Sequence, residues 1–176
     1  MKKQITAVIL IILVIQVLLH SYTYFRVSKE INTQSAVVFE KFTLVKVISE
    51  ARIRKIEEII SYVTSNSDTI EKVEGLDEVM ETLKSDLKEK DVQGVERHTT
   101  EMNKKLNEFL KEAEVEFEED REFKELKYDF EEATGIMYDQ LSNYNREAMI
   151  YNNLVEFHKF IAKINGYEYM QYCDVF

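Results

Sequence analysis

The feature that most constrains this chain is an uncharged apolar run close to its start. Ile5 to Leu19 reads ITAVILIILVIQVLL, with Thr6 and Gln16 as its polar breaks. Beyond His20 and Ser21, the residues Tyr22, Tyr24 and Phe25 extend it to about the ~20 residues a helix needs to cross hydrocarbon. Tyr22 and Tyr24 stand where an aromatic belt meets the lipid headgroups. A cleaved signal peptide also starts with basic residues, here Lys2 and Lys3, and an apolar stretch. However, no small-x-small site follows Leu19 and the apolar residues continue past it, so an uncleaved anchor is expected. Lys2, Lys3 and the α-amino group precede the span, against Arg26 and Lys29 after it, which favours a cytoplasmic N-terminus. The expected location is the cell membrane, with a single pass and an extracytoplasmic domain.

About 150 residues follow the run, enough for one domain with a core of its own. The chain contains no Pro, no Trp and only four Gly (Gly75, Gly94, Gly135, Gly166). It has little to punctuate short strands and tight turns, so long helices are expected. Every acidic residue lies from Glu30 onward. Leaving out Lys2 and Lys3, 21 bases face 33 acids, a net of about −12. That field repels nucleic acid and anionic headgroups and disfavours DNA, RNA or peripheral lipid binding. Cys173 is the single cysteine, so an intramolecular disulfide and a CxxC site are both excluded.

Periodicity then sets the architecture. Ile31, Val38, Phe39, Phe42, Val45, Ile48 or Ser49, Ile56, Ile59, Ile60 and Val63 recur at steps of three and four, and nothing between Phe25 and Val63 breaks a helix. The span is expected to run straight into this helix as one rod of roughly 60 residues, about 90 Å long. Ser65 to Asp68 offers the first break, with Asp68 and Glu71 at capping-box spacing. A second stripe comprises Leu76, Val79, Met80, Leu83 and Leu87, followed by a polar turn over Lys88 to Gly94. A third comprises Val95, Met102, Leu106, Phe109, Leu110, Ala113 and Phe117, closed by the charged turn Glu116 to Glu122. The fourth helix is expected from Phe123 to about Ile164, with Phe123, Leu126, Phe130, Met137, Leu141, Tyr144, Ala148, Tyr151, Val155 and Ile161 facing inward. Amphipathic helices of this kind are not stable alone in water and must bury their stripes on one another. The expected fold is all-α: a transmembrane helix that continues into an antiparallel up-and-down four-helix bundle. Residues 1–25 form the tail and span, 26–166 the acidic bundle, and 167–176 an aromatic C-terminal segment.

The fourth helix carries a repeated pair, Tyr144-Asn145 and then Tyr151-Asn152, followed by Val155. Glu122-Phe123 and Leu126 precede it; Gly166-Tyr167 and a terminal Phe176 follow. This arrangement resembles the C-terminal half of the LemA family, whose pattern runs Asn-Phe-x-x-Leu, Tyr-Asn-x5-Tyr-Asn, then Gly-Phe near an aromatic end. The family also begins with one transmembrane helix and a long helix carrying an Arg-rich stretch, matched here by Arg52 to Ile60. The chain departs where the family's Pro falls at Glu57 and where its Phe-Pro becomes His158-Lys159. The resemblance implies a membrane-anchored helical bundle of a bacterial or archaeal envelope, without established enzymatic activity. Independently of it, two Tyr seven residues apart share one helix face. Each adjacent Asn lies about 100° round that face, where its amide can bridge to a neighbouring helix. Core aromatics with stitching Asn residues is one reading of this strip; a partner-binding strip over Tyr144, Asn145, Tyr151, Asn152, Val155, Gly166, Tyr167 and Phe176 is the other.

Catalytic chemistry finds little to stand on. His20, His98 and His158 fall in separate segments with no HxxxH or HExxH spacing. Glu96 and Glu156 precede a His by two positions rather than three, which does not suit a di-metal bundle. Pairs such as Glu57-Glu58 and Glu131-Glu132 read as a solvated face. Each Gly is isolated, so no phosphate loop is present, and no Ser has a nucleophile-elbow context. No cofactor, metal or catalytic residue is expected. The expectation is a non-catalytic scaffold or adaptor that binds an unidentified protein partner. A sensory ligand-binding bundle acting through a membrane partner, and a self-assembling coiled coil pairing along Val38 and Val45, are the alternatives. The aromatics Tyr167, Tyr169, Tyr172 and Phe176 are expected either to fold back on the bundle or to dock a partner.

Overall fold

The computed structural model describes residues 2–67, 70 and 75–173, with side chains from residue 9 onward. Among the described residues it contains five helices and no strand: α1 (Lys2–Asn66), α2 (Leu76–Glu89), α3 (Val92–Glu116), α4 (Arg121–Phe157) and α5 (Lys159–Asn165).

α1 runs through 65 residues without interruption, roughly 100 Å of helix. The apolar run and the first domain helix are therefore one element, as the periodicity requires. With no Pro in the chain, the commonest cause of a sharp kink is missing. Polar side chains within α1 turn back onto their own helix. Thr23, Thr33 and Thr43 each donate a hydroxyl hydrogen to the carbonyl four residues earlier at 2.9 Å, and His20 Nδ1 sits 2.7 Å from the Gln16 carbonyl. The three hydroxyl donors and His20 Nδ1 are thereby satisfied within the helix.

Burial divides α1 in two. Residues 9–25 are exposed apart from half-buried Tyr24. From Val27 onward one stripe goes under: Ile31, Val38, Phe42, Val45, Ser49, Ile53, Ile56, Ile59, Ile60 and Val63. α4 returns antiparallel along that stripe, pairing Gln34 with Glu147, Phe42 with Tyr144, Arg52 with Thr134, Lys55 with Asp129 and Tyr62 with Asp120.

α2 and α3 form a second antiparallel pair. Lys90 turns the chain at φ 61°, and the Asp91 side chain caps α3 by accepting from the Gly94 N–H at 3.1 Å. All five apolar positions expected in α2 and all seven in the third stripe are buried. They join the α1–α4 stripe in a single apolar cluster. Each such side chain larger than Ala113 contributes ~1.5–3 kcal/mol on burial. Surface pairs that link the elements, such as Lys84 with Glu57 at 3.0 Å and Lys127 with Glu114 at 2.7 Å, add little beside that.

Four local expectations are corrected. Phe39 is 47 % exposed, because α1's stripe passes beside it; Lys90 Nζ covers its ring at 4.8 Å instead. The α2–α3 turn is shorter than Lys88 to Gly94: it closes at Lys90 and Asp91, and Gly94 lies buried inside α3. α4 starts at Arg121, two residues before Phe123, because Asp120 accepts from the Phe123 N–H at 2.8 Å and caps it. At the other end, α4 stops at Phe157 because His158 leaves helical geometry (φ −110°, ψ 33°), and α5 follows from Lys159. α5 packs on α1 with Ala162 buried, and Phe157 and Phe160 stay outside. The break after α1 falls at Asn66, as expected, with Ser67 Oγ accepting from the Ile70 N–H at 2.9 Å. The expected Asp68–Glu71 capping box lies outside the described residues.

Candidate functional site

The repeated Tyr-Asn pair of α4 meets the C-terminal segment. α5 ends in a Schellman turn: Tyr167 N–H donates to the Ala162 carbonyl at 3.0 Å and Gly166 N–H to the Lys163 carbonyl at 3.4 Å. Gly166 sits at φ 69°, a left-handed conformation that glycine adopts without steric cost. The chain then reverses and runs, without regular secondary structure, back along α4.

Asn152 takes hold of Met170 by both edges of its amide. Oδ1 accepts from the Met170 N–H at 2.8 Å, and Nδ2 donates to the Met170 carbonyl at 2.8 Å and to the Tyr172 hydroxyl at 3.1 Å. Asn145 holds Cys173 in the same way, accepting at 2.9 Å and donating at 2.8 Å. Between them the Tyr144 hydroxyl donates to the Gln171 carbonyl at 2.8 Å. The spacing follows from two periods. Seven helical residues advance ~10.5 Å, and three extended residues, from Met170 to Cys173, advance ~10 Å. Each Asn amide therefore takes the place of a neighbouring strand's peptide group, and the register of seven on the helix matches three on the tail.

The rest of the strip supports this clamp. Tyr144, Tyr151 and Val155 are each 3 % exposed. The Tyr144 ring stands edge-on to Phe42 at 5.6 Å. Burial, with Cys173 adding, pushes the Tyr144 hydroxyl up to about 12. Burial likewise raises Tyr151, assisted by Tyr167 and Glu168. Tyr167 is half-buried and its hydroxyl donates to the Ser28 carbonyl at 3.4 Å. Tyr169 donates to Glu156, which raises the phenol and lowers the carboxyl. Phe176 lies outside the described residues. The Asn amides thus bridge to the tail's backbone rather than to a neighbouring helix. The aromatic segment folds back, with Cys173 1 % exposed.

A second constellation escaped the periodicity because its centre is charged. Arg52 is 2 % exposed in the core. Its Nε donates to Thr134 Oγ1 at 2.8 Å and its Nη2 to Asn103 Oδ1 at 2.6 Å, while the guanidinium lies 5.0 Å from the Phe130 ring centroid. Nη1 is buried without a hydrogen-bond partner. Burial pulls the Arg52 guanidinium down to about 10, against a smaller upward pull from Tyr138. The signal available in the sequence was position: Arg52 falls between Ser49 and Ile56 on the buried stripe. Its partners Thr134 and Asn103 join α1 to α4 and α3, which makes it a polar stitch across three helices.

The histidines remain apart. His98 Nδ1 is 2.5 Å from Asp86 Oδ2 across the α2–α3 hairpin, and His158 packs edge-on against Phe157 at 4.8 Å. Among the described residues no group of three or more His, Cys, Asp or Glu is placed to hold a metal ion. Comparison of the chain with protein-family models, curated proteins and solved structures finds no match.

Proposed function

We propose that this chain is a non-catalytic, single-pass membrane protein of the LemA type, an extracytoplasmic four-helix bundle acting as a scaffold or adaptor. The observation that carries this reading is α1. The helix is long and apolar enough near the N-terminus to span a membrane, and Ile9 to Leu19 expose 50–64 % of each large apolar side chain. Water tolerates scattered apolar residues but not a whole helix surface of them, whereas hydrocarbon solvates that surface and asks only that backbone groups be satisfied internally. The uninterrupted helix α1 meets that demand, and the Thr23 hydroxyl and His20 Nδ1 also bond within it. The clamp supports the scaffold half of the reading: the Tyr-Asn strip is occupied by the chain's own tail. A protein partner would then meet the tail's outer side, where Tyr169 and Tyr172 are 57 % and 42 % exposed.

The test is a reporter fused after Phe176, combined with alkaline carbonate extraction of membranes. Retention in the pellet with a reporter active only outside the cytoplasm is the expected result. Release by carbonate overturns the anchor, and a cytoplasmic reporter overturns the orientation. Capture with and without Tyr169→Ala and Tyr172→Ala then tests the adaptor role, which fails if partners are retained equally.

A further inference from the structure

α5 contradicts the charge of the domain around it. The chain beyond Lys3 carries about −12, yet KFIAKIN contains two Lys and no acid. Large apolar groups also lie uncovered on it and beside it: Phe157, the last residue of α4, is 83 %, Phe160 76 % and Ile164 58 % exposed. A step of four places Phe160 and Ile164 on one side of α5, while Ala162 on the opposite side is buried.

The position of α5 says what covers that side. Tyr24 donates to Asn165 Oδ1 at 2.8 Å, and Asn165 Nδ2 reaches Ser28 Oγ at 3.4 Å. The C-terminal end of α5 is thereby tied to the level at which the apolar run ends. Phe160 reaches further back and shares a groove with Leu19, His20 and Tyr24. Leu19 lies six residues before Phe25, about 9 Å along a helix. An amphipathic helix lying in a bilayer surface buries its apolar side by ~5–10 Å. The two depths agree.

We propose that α5 is an interfacial helix that lies in the lipid headgroup layer beside the membrane span. Phe157, Phe160 and Ile164 enter the acyl boundary, and Lys159 and Lys163 extend their stems along it to place ammonium groups among the lipid phosphates. Lys159 also pairs at the surface with Glu156 at 3.6 Å. The inference rests on the reading that Ile5 to Phe25 crosses the bilayer. It adds a second membrane contact to a domain whose overall charge would otherwise hold it away from anionic headgroups.

The chain has no Trp, so a single introduced Trp reports its own surroundings. Full-length protein carrying Phe160→Trp, Leu13→Trp or Val115→Trp is placed in phosphatidylcholine–phosphatidylglycerol vesicles, with and without brominated lipid. Val115 is 82 % exposed on α3 and serves as the aqueous reference. The expected result is a blue-shifted emission quenched by brominated lipid for Phe160→Trp and Leu13→Trp, with neither effect for Val115→Trp. Emission of Phe160→Trp like that of Val115→Trp, with Leu13→Trp quenched, overturns the inference and leaves the anchor standing. A blue shift without quenching at Phe160→Trp means that a second copy covers α5, and also overturns it. An unquenched Leu13→Trp removes the membrane reading itself.

Discussion

The amide of Asn152 and the backbone of Met170 form a closed two-way pair, each donating to and accepting from the other at 2.8 Å. Asn145 repeats the pair with Cys173. Alanine at position 152 leaves both tail groups unmatched, at a cost of ~1–3 kcal/mol per buried group that stays dry. Asn152→Ala is expected to lower the thermal midpoint of the detergent-solubilised chain, followed by circular dichroism. The same substitution in a chain ending at Gly166 is expected to cost almost nothing, because the partner is already gone. Equal losses in both backgrounds would show that Asn152 acts elsewhere.

Tyr144 makes the clamp sensitive to alkali. Its folded pKa, pushed up to about 12 by burial and by Cys173, stands above the ordinary phenol value near 10. The protonated form is favoured in the folded state. Its contribution is therefore complete below pH ~10 and is lost as pH rises toward ~12. Tyr144→Phe forgoes the hydrogen bond to Gln171 but is expected to lose on the order of 2 kcal/mol less between those limits. Parallel stability profiles for the two proteins would refute this.

Two glycines are expected to respond oppositely to alanine. A Cβ on Gly94 would lie 2.6 Å from Asp86 Cγ and 2.6 Å from Asp91 Oδ2, and Asp86 is held by His98. A Cβ on Gly135 meets nothing within 4 Å. Gly135→Ala is expected to stabilise by ~0.5–1 kcal/mol through helix propensity, and Gly94→Ala to destabilise despite the same propensity gain. Urea unfolding of the two variants checks the sign.

Arg52 tests whether the central stitch is needed for stability. Replacing a buried charge by an apolar residue of similar volume is often neutral or stabilising, whereas truncation leaves a void. Arg52→Met is expected to stay within about 1 kcal/mol of the parent, and Arg52→Ala to lose ~2 kcal/mol or more. Thr134 Oγ1 still donates to the Phe130 carbonyl at 2.8 Å in either variant, so Asn103 alone is left short. A larger loss in Arg52→Met would mean that the guanidinium organises the three helices.

Much of the fold was legible because its helices bury one stripe each. Leu76, Val79, Met80, Leu83 and Leu87 were readable at their spacing and all are buried. Phe39 was misread because a stripe four residues wide admits a neighbour on either side, and packing against α4 selects one. The interruption at His158 was not legible, since no Pro or Gly marks it. In the candidate site the Tyr-Asn interval was visible but its partner was not. The tail's aromatics pointed to folding back or docking, but with no periodicity they gave no register against α4.

The pairing of the first long helix with the fourth fixes an order of assembly. Gln34 waits for Glu147, and Phe42 for Tyr144, while the α2–α3 hairpin closes through neighbours such as Asp86 and His98, 12 residues apart. Local contacts form before distant ones, so during synthesis the hairpin is complete while α1's stripe is still bare. The tail that locks α4 follows α4 and α5 in the chain. A nascent chain stalled before Tyr144 is therefore expected to expose α1 to protease or chaperone, and synthesis through Cys173 to protect it.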